Sequence, residues 1–269
     1  MFYADYHTHS DFSSDSDTPM EENIKRAMSI GLKEIAVTDH IDFDYPDPEF
    51  PFLFDYKPYS DEIERLRKIY GEKITIAKGV EIGIQPHVIG SINKFVENNQ
   101  FDFIIASTHV VQDGYDLCVN DFFEGKTKDE AYCQYFEEVL HNVENYDFFN
   151  VYGHIDFINR YGNYTDKTID YSRFRYLTDK ILSALIEKQK GIEINTSGYR
   201  YGAGGPHPGF ALIKRYRELG GKIITVGSDT HKPEHLAYKF DEAYRMLKEA
   251  GFDKIAVFRD RKPVYIKLF

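Results

Sequence analysis

The sequence predicts an α/β fold built from parallel strands and right-handed helical crossovers. Two observations carry this. Seven short runs rich in β-branched and aromatic residues alternate with seven longer amphipathic stretches along 269 residues. Polar, proton-binding side chains then recur at the carboxyl ends of those runs, the edge of a parallel sheet where active sites are built. Alternation alone leaves a doubly wound sheet and a closed barrel both open.

The strand candidates, in order, are "FYADYH" (2–7), "EIAVTDH" (34–40), "ITIAKGVEIG" (74–83), "FDFIIASTH" (101–109), "NVYGHID" (150–156), "GIEINTS" (191–197) and "KIITVGSDTH" (222–231). A last run, "KIAVFRDRKPVYI" (254–266), reads as a terminal hairpin or edge, because Pro263 disfavours a central position. Helices are expected over 19–31, 59–71, 87–99, 128–144, 172–191, 207–221 and 235–251; several open on Ser, Thr, Asp or Pro and close on Gly. In 172–191, Phe174, Leu177, Ile181 and Leu185 share one face, the stripe of a helix packed on a sheet. The segment 41–58 holds four of the ten prolines and is too long for an idle connector, so a lid or binding loop is expected there. Neither repeats nor an interdomain linker interrupt the alternation, and residues 1–269 read as one domain.

Composition narrows the function classes. Hydrophobic residues make up 42% and charged residues 29%, ordinary for a globular chain with a sizeable core. No apolar run approaches the roughly 18 residues that span a bilayer, and the start carries no secretory pattern. Cys118 and Cys133 have no metal or redox spacing and read as free thiols, so a cytoplasmic location without membrane attachment is expected. A net charge of −11 argues against nucleic acid as the main partner, since phosphate backbones are bound by clustered Lys and Arg. Neither a dinucleotide-binding Gly-x-Gly-x-x-Gly after the first strand nor a phosphate-cradling Gly-x-x-x-x-Gly-Lys occurs.

The strand ends carry the chemistry. His7 and His9 close the first strand, His40 the second, Glu81 the third, His109 the fourth and His154 the fifth, while Asp229 and His231 close the seventh. Six of the ten histidines thus fall on one edge. In an extended chain, residues two apart point the same way, so both side chains of "HTH" or "DTH" reach one centre. So many imidazoles converging without a cation would be costly, and a metal site follows. Asp15, six residues past His9 on a polar loop, joins them; Asp11 and Asp17 are weaker candidates. The set lacks thiolate, which suits Zn, Fe or Mn better than a structural tetrahedral zinc. Nine candidates exceed the capacity of one ion. Two or three divalent ions are therefore expected, with Glu81 as a bridge.

With these residues placed, the chain resembles the PHP family, named for polymerase and histidinol phosphatase. The likeness runs from "DYHTHSDFSSD" through "VTDH", "GVEIG", "ASTH" and "VYGHID" to "GSDTH", in order and across almost the whole chain. It implies a distorted (β/α)7 barrel with the metal site at the carboxyl-terminal end of the strands. It also implies a trinuclear centre: His7, His9, Glu81 and Asp229 on one ion, Glu81, His109 and His154 on the second, Asp15, His40 and His231 on the third. Many relatives have histidine where Asp15 stands, a departure that bears on which metal takes the third position. The implied reaction is phosphate monoester hydrolysis by a metal-bridging hydroxide. The stand-alone histidinol-phosphate phosphatases of histidine biosynthesis are the nearest likeness, with L-histidinol phosphate as the implied substrate; another small ester or nucleic-acid ends are the alternative.

For that reaction Asp229, His231 or Asp17 could handle the leaving group's proton. Arg160 and Arg200, on loops after the fifth and sixth strands, could fork onto phosphate oxygens, with Lys232 a weaker third. Asn195 and Ser197 could orient substrate, and carboxylates between Asp42 and Asp55 could meet its ammonium and imidazole. His207 reads as a helix-start residue, and His87, His141 and His235 as surface or packing residues. An amidohydrolase-like enzyme is disfavoured, because its bridging lysine on the fourth strand is replaced here by "IIASTH". A non-catalytic metal-binding scaffold fits poorly with a full ligand set and two loop arginines.

Overall fold

The computed structural model describes residues 3–111 and 114–268; Phe2, the first residue of the first expected strand, lies outside them. The strands are β1 (Ala4–Asp5), β2 (Glu34–Val37), β3 (His40–Ile41), β4 (Thr75–Gly83), β5 (Phe103–Ser107), β6 (Val110–Val111), β7 (Tyr115–Asp116), β8 (Val151–Tyr152), β9 (Gly191–Asn195), β10 (Ile224–Gly227), β11 (Lys254–Arg259) and β12 (Lys262–Lys267). The helices are α1 (Met20–Ser29), α2 (Tyr56–Tyr70), α3 (Ile89–Asn98), α4 (Lys128–Asn145), α5 (Arg175–Glu187), α6 (Phe210–Glu218) and α7 (Phe240–Glu249). All seven expected strands pair in parallel in the order β1-β2-β4-β5-β8-β9-β10, and β3 continues the second unit along β4.

The first and last of these strands meet. Tyr6 N donates to Val226 O at 2.9 Å, Asp229 N to His7 O at 2.8 Å and His9 N to Thr230 O at 2.8 Å. The sheet therefore closes into the expected α/β barrel, distorted because β1 and β8 are only two residues long. β2, β5 and β9 are buried at every position, as strands covered by helices outside and side chains inside must be.

Helix starts differ from expectation where a local constraint intervenes. α4 begins as read, with Thr127 and Glu130 forming a reciprocal capping box. α6 starts three residues late, because His207 is held in a bridge with Asn195, their amides and carbonyls exchanging bonds of 2.7 and 2.8 Å. α7 starts at Phe240 rather than 235, since Ala237 and Lys239 have φ of 53° and 59°, which breaks a right-handed helix. The 41–58 segment is shorter as a loop than expected. Its first residue belongs to β3 and its last three to α2, where Pro58 sits in the first turn and forfeits no helical bond.

The terminal hairpin forms as read, with Pro263 on the edge strand β12. It seals the amino-terminal end of the barrel. Phe258 packs on Phe103 at 4.9 Å between ring centroids and its amide donates to Tyr6 OH at 2.7 Å. Buried Glu34 receives the Tyr6 hydroxyl and both Arg259 end nitrogens, at 2.5 and 2.7 Å. Removing one partner of a buried carboxylate strands its charge. Arg259→Ala is therefore expected to destabilise the fold by about 2–3 kcal/mol, with Arg259→Lys intermediate, both read by urea unfolding. A variant indistinguishable from the parent would show that the pair adds nothing.

Candidate metal centre

The local sequence aims the side chains. Thr8 sits between the two histidines of "HTH" and turns the other way, its hydroxyl donating to Ala36 O at 2.8 Å and its amide to Thr38 Oγ1 at 3.0 Å. His7 and His9 consequently share a face, 5.0 Å apart between ring centroids. Asp39 anchors the following loop, accepting Ser10 N, Ser10 Oγ and Ser13 Oγ at 2.6–2.8 Å. Asp229 adopts φ 52°, a costly conformation for a residue with a side chain. Two bonds of 2.8 Å from the Arg200 guanidinium to Ser228 O and Asp229 O brace that turn, as does Asp5, which accepts Ser228 N at 2.9 Å.

Glu81 is the hub. Its Oε2 lies 3.0 Å from His7 Nε2, 3.2 Å from His40 Nδ1 and 3.5 Å from His9 Nε2. Its Oε1 lies 2.9 Å from His154 Nε2 and 3.3 Å from His109 Nε2, and accepts Ser107 Oγ at 2.6 Å. Asp229 Oδ1 stands 3.5 Å from His9 Nε2 and 3.7 Å from His231 Nδ1. Asp15 Oδ2 reaches His231 Nε2 at 2.9 Å and His40 Nε2 at 3.8 Å. Ligand atoms of His7, His9 and Asp229, of Glu81, His109 and His154, and of His9, His40 and His231 each lie within 4.8 Å of one another. The nine residues read from strand ends and one loop are thus brought to one place.

The electrostatics call for positive charge. Burial opposes protonation of His7, yet Glu193, Glu81 and Asp229 outweigh it and hold its pKa well above the ordinary value; Asp42 and Glu81 do the same for His109. Burial and the neighbouring His231 push His9 down, and burial with His9 pushes His40 to about 4. Burial would raise Glu81, but His7, His40 and His109 hold it well below the usual carboxylate range. Buried His9 Nε2 and His40 Nδ1 have no hydrogen-bond partner although carboxylate oxygens stand 3.2–3.5 Å away. Orphaned nitrogens beside carboxylates fit divalent cations, which accept lone pairs and supply the missing charge. The donor set remains nitrogen and oxygen, since Cys118 Sγ is turned to Tyr161 OH at 3.2 Å.

A cavity of 460 Å³ opens over Glu81, His154 and Asp229. Arg160, Arg200 and Lys232 line it. The Arg160 guanidinium lies between the Phe157 and Tyr201 rings, 4.6 and 4.1 Å from their centroids, with Nη2 2.5 Å from Ser197 Oγ and 3.5 Å from Asp229 Oδ2. Other expectations need correction. Asp17 is exposed and off the cavity wall, because its loop turns it outward while Ser16 and Thr18 bond to His231 O. Asn195 is fully buried; its amide donates to Glu193 and Asp229 and its oxygen accepts Ser197, so it braces the site rather than facing substrate. Of the carboxylates in the 42–55 loop, Asp42 reaches the cavity wall, but its oxygens are committed to His109 Nδ1 at 2.6 Å and Gly83 N at 2.9 Å. The loop contributes Tyr45 and Phe52 to the wall instead.

His235 also lines the cavity, although its position read as surface or packing. His207 is buried against Asp156 at 2.8 Å, a structural pairing, and exposed His87 pairs with Asp44 at 2.8 Å. Sequence reading missed Glu193, whose Oε1 sits 2.7 Å from His7 Nδ1 while Oε2 accepts His154 N at 3.0 Å. Its signal was present: a glutamate amid the apolar run "GIEIN" has no reason to be buried unless it has a partner.

Comparison with known proteins agrees with this geometry. Residues 5–197 match the PHP domain. The chain is 36% identical to the histidinol-phosphatase of Lactococcus lactis subsp. lactis, over 97% of this chain and 96% of that protein. It is 31% identical to a Clostridium acetobutylicum protein named "Probable histidinol-phosphatase", over 93% and 96% of the two chains. The crystal structure of histidinol phosphate phosphatase from L. lactis, complexed with Zn, L-histidinol and phosphate, superposes with a TM-score of 0.90 at 34% identity, covering 97% of this chain and 98% of that one. A parallel barrel whose strand ends gather imidazoles around a shared glutamate, matched over most of its length, places this chain in the PHP family.

Proposed function

We propose that the chain is a metal-dependent histidinol-phosphate phosphatase, residues 1–269 acting as one PHP-type domain. The observation that carries the reading is the convergence of Glu81, Asp229 and six histidines beneath a cavity that also presents the Arg160 guanidinium. The L. lactis relative, solved with zinc, L-histidinol and phosphate, supports both the substrate and the metal. His7, His9, Glu81 and Asp229 would hold one ion, Glu81, His109 and His154 a second, and Asp15, His40 and His231 a third. Divalent ions held there lower the pKa of water and neutralise phosphoryl oxygens.

The chain's own groups do the rest. Arg160, fixed in plane by Phe157 and Tyr201, offers a fork to the phosphate without paying to order itself. Arg200 and Lys232 add positive charge on the same wall of an otherwise acidic protein. Asp229 and His231 face the cavity and are the groups to manage the proton that the leaving alkoxide needs. Tyr45, Phe52 and Tyr161 form an aromatic side suited to the imidazole of the alcohol. No helix among the described residues is long and apolar enough to cross a membrane. A cytoplasmic place goes with a biosynthetic role and with the free thiols of Cys118 and Cys133.

A kinetic screen over phosphomonoesters and a single-stranded oligonucleotide tests the reading, with elemental analysis of the same sample. Histidinol phosphate is expected to give the highest kcat/KM with metal bound; faster cleavage of another ester or of the oligonucleotide would replace the substrate assignment. His9→Ala is expected to lose metal and activity together, because His9 belongs to two of the four clusters of ligand atoms and its Nε2 stands 3.5 Å from both Glu81 and Asp229. A full metal complement in that variant would contradict the ligand assignment.

A further inference from the structure

The three proposed ion positions are not backed alike, and the difference predicts how tightly each is held. A coordinating imidazole must be neutral, with its lone pair on the nitrogen that faces the ion, and a carboxylate bound to the other nitrogen fixes that tautomer and raises its basicity. His7 has such a partner: Nδ1 lies 2.7 Å from Glu193 Oε1, leaving Nε2 toward Glu81 and Asp229. His109 has one too, with Nδ1 2.6 Å from Asp42 Oδ2 and Nε2 toward Glu81. Both carboxylates are themselves anchored. Glu193 accepts His154 N at 3.0 Å and Asn195 Nδ2 at 3.2 Å, and Asp42 accepts Gly83 N at 2.9 Å.

The third position has weaker support, with no anchored carboxylate behind either imidazole. His40 Nδ1 makes no hydrogen bond: Glu81 Oε2, itself a ligand, stands 3.2 Å away and Asp42 Oδ1 3.9 Å away. His40 Nε2 stands 3.8 Å from Asp15, so no carboxylate outside the ligand set is close enough to fix one tautomer. His231 Nδ1 is backed by the backbone carbonyl of Asp229, at 3.2 Å, rather than by an anchored carboxylate; the Asp229 carboxylate, itself a ligand, stands 3.7 Å away. Its residues are also wetter: the Asp15 and His231 side chains are 31% and 23% exposed, against 0% for His7 and 1% for Glu81. Water competes for ligands and screens charge at such a site.

We infer that Glu193 and Asp42 are positioning residues that make the His7 and His109 ion positions tight, and that the Asp15–His40–His231 position exchanges its ion freely. The inference rests on the three-position ligand assignment above, and the test separates the two. Zinc-loaded protein is dialysed against a graded series of chelator concentrations, and bound zinc per chain is measured at each step. Expected is a plateau at two ions per chain after the third has left. Glu193→Gln and Asp42→Asn, which keep shape but lose charge, are expected to weaken the retained pair by about 10–100-fold, leaving the first release unchanged. Histidine tautomers read by ¹⁵N NMR of the zinc-loaded variants should change at His7 and His109 respectively. Release of all three ions in one step, or variants that release zinc as the parent does, would overturn the inference. A parent that never binds three ions would instead overturn the ligand assignment.

Discussion

Glu81→Gln is expected to lower kcat/KM for histidinol phosphate by at least about 10³-fold, some 4 kcal/mol of transition-state stabilisation. Among the described residues, Glu81 is the carboxylate on which five of the site's imidazoles converge. Its two oxygens stand 2.9–3.5 Å from His7, His9, His40, His109 and His154, and removing the charge leaves five imidazoles without their common anion. Both bridged ion positions should weaken together, so metal analysis should fall in step with activity. Ser107 can still donate to the amide oxygen, so the fold should survive; circular dichroism checks this. A variant that keeps its metal and turns over near the parental rate would remove Glu81 from the centre of the site.

Arg160→Ala is the second large effect, and it should look different. Charge-assisted hydrogen bonds to a phosphate are worth roughly 1.5–3 kcal/mol, so a loss of about 10–150-fold in kcat/KM is expected, mostly through KM. Metal content should not change, because the guanidinium meets Asp229 only at 3.5 Å and Asp229 keeps Ser197 and Asn195. Arg160→Lys should recover part of the charge but not the planar stack between Phe157 and Tyr201. Steady-state kinetics with metal analysis decides; loss of metal in Arg160→Ala would mean that the arginine holds Asp229 rather than phosphate.

Much of this site could be read along the chain because parallel strands put their ends on one edge. A histidine at the end of a β-branched run, such as His40 after "EIAVTD" or His109 after "FIIAST", needs no long-range information to be assigned to that edge. The same local logic placed Arg160 and Arg200 on the cavity side. It failed where the decisive contact joins distant elements. Glu193 meets His7 across 186 positions and Asp42 meets His109 across 67, so neighbours alone, which mark Glu193 as a carboxylate in need of a partner, could not say which imidazole either one meets. Arg200 was read for its charge, yet two of its donors are spent on the carbonyls of Ser228 and Asp229, because the strained turn at Asp229 needs bracing.

The amino-acid sequence by itself determined the alternation of strand and helix, the edge on which the chemistry sits and the kinds of donor atoms there. These follow from local periodicity and from the two-residue repeat of an extended chain. Only the tertiary structure decided which carboxylate orients which imidazole, that the barrel closes between Tyr6 and Val226, and that Asp17 faces water while His235 faces the cavity. Those outcomes depend on distances of a few ångströms between residues far apart in the chain. They are fixed only when the whole core packs at once.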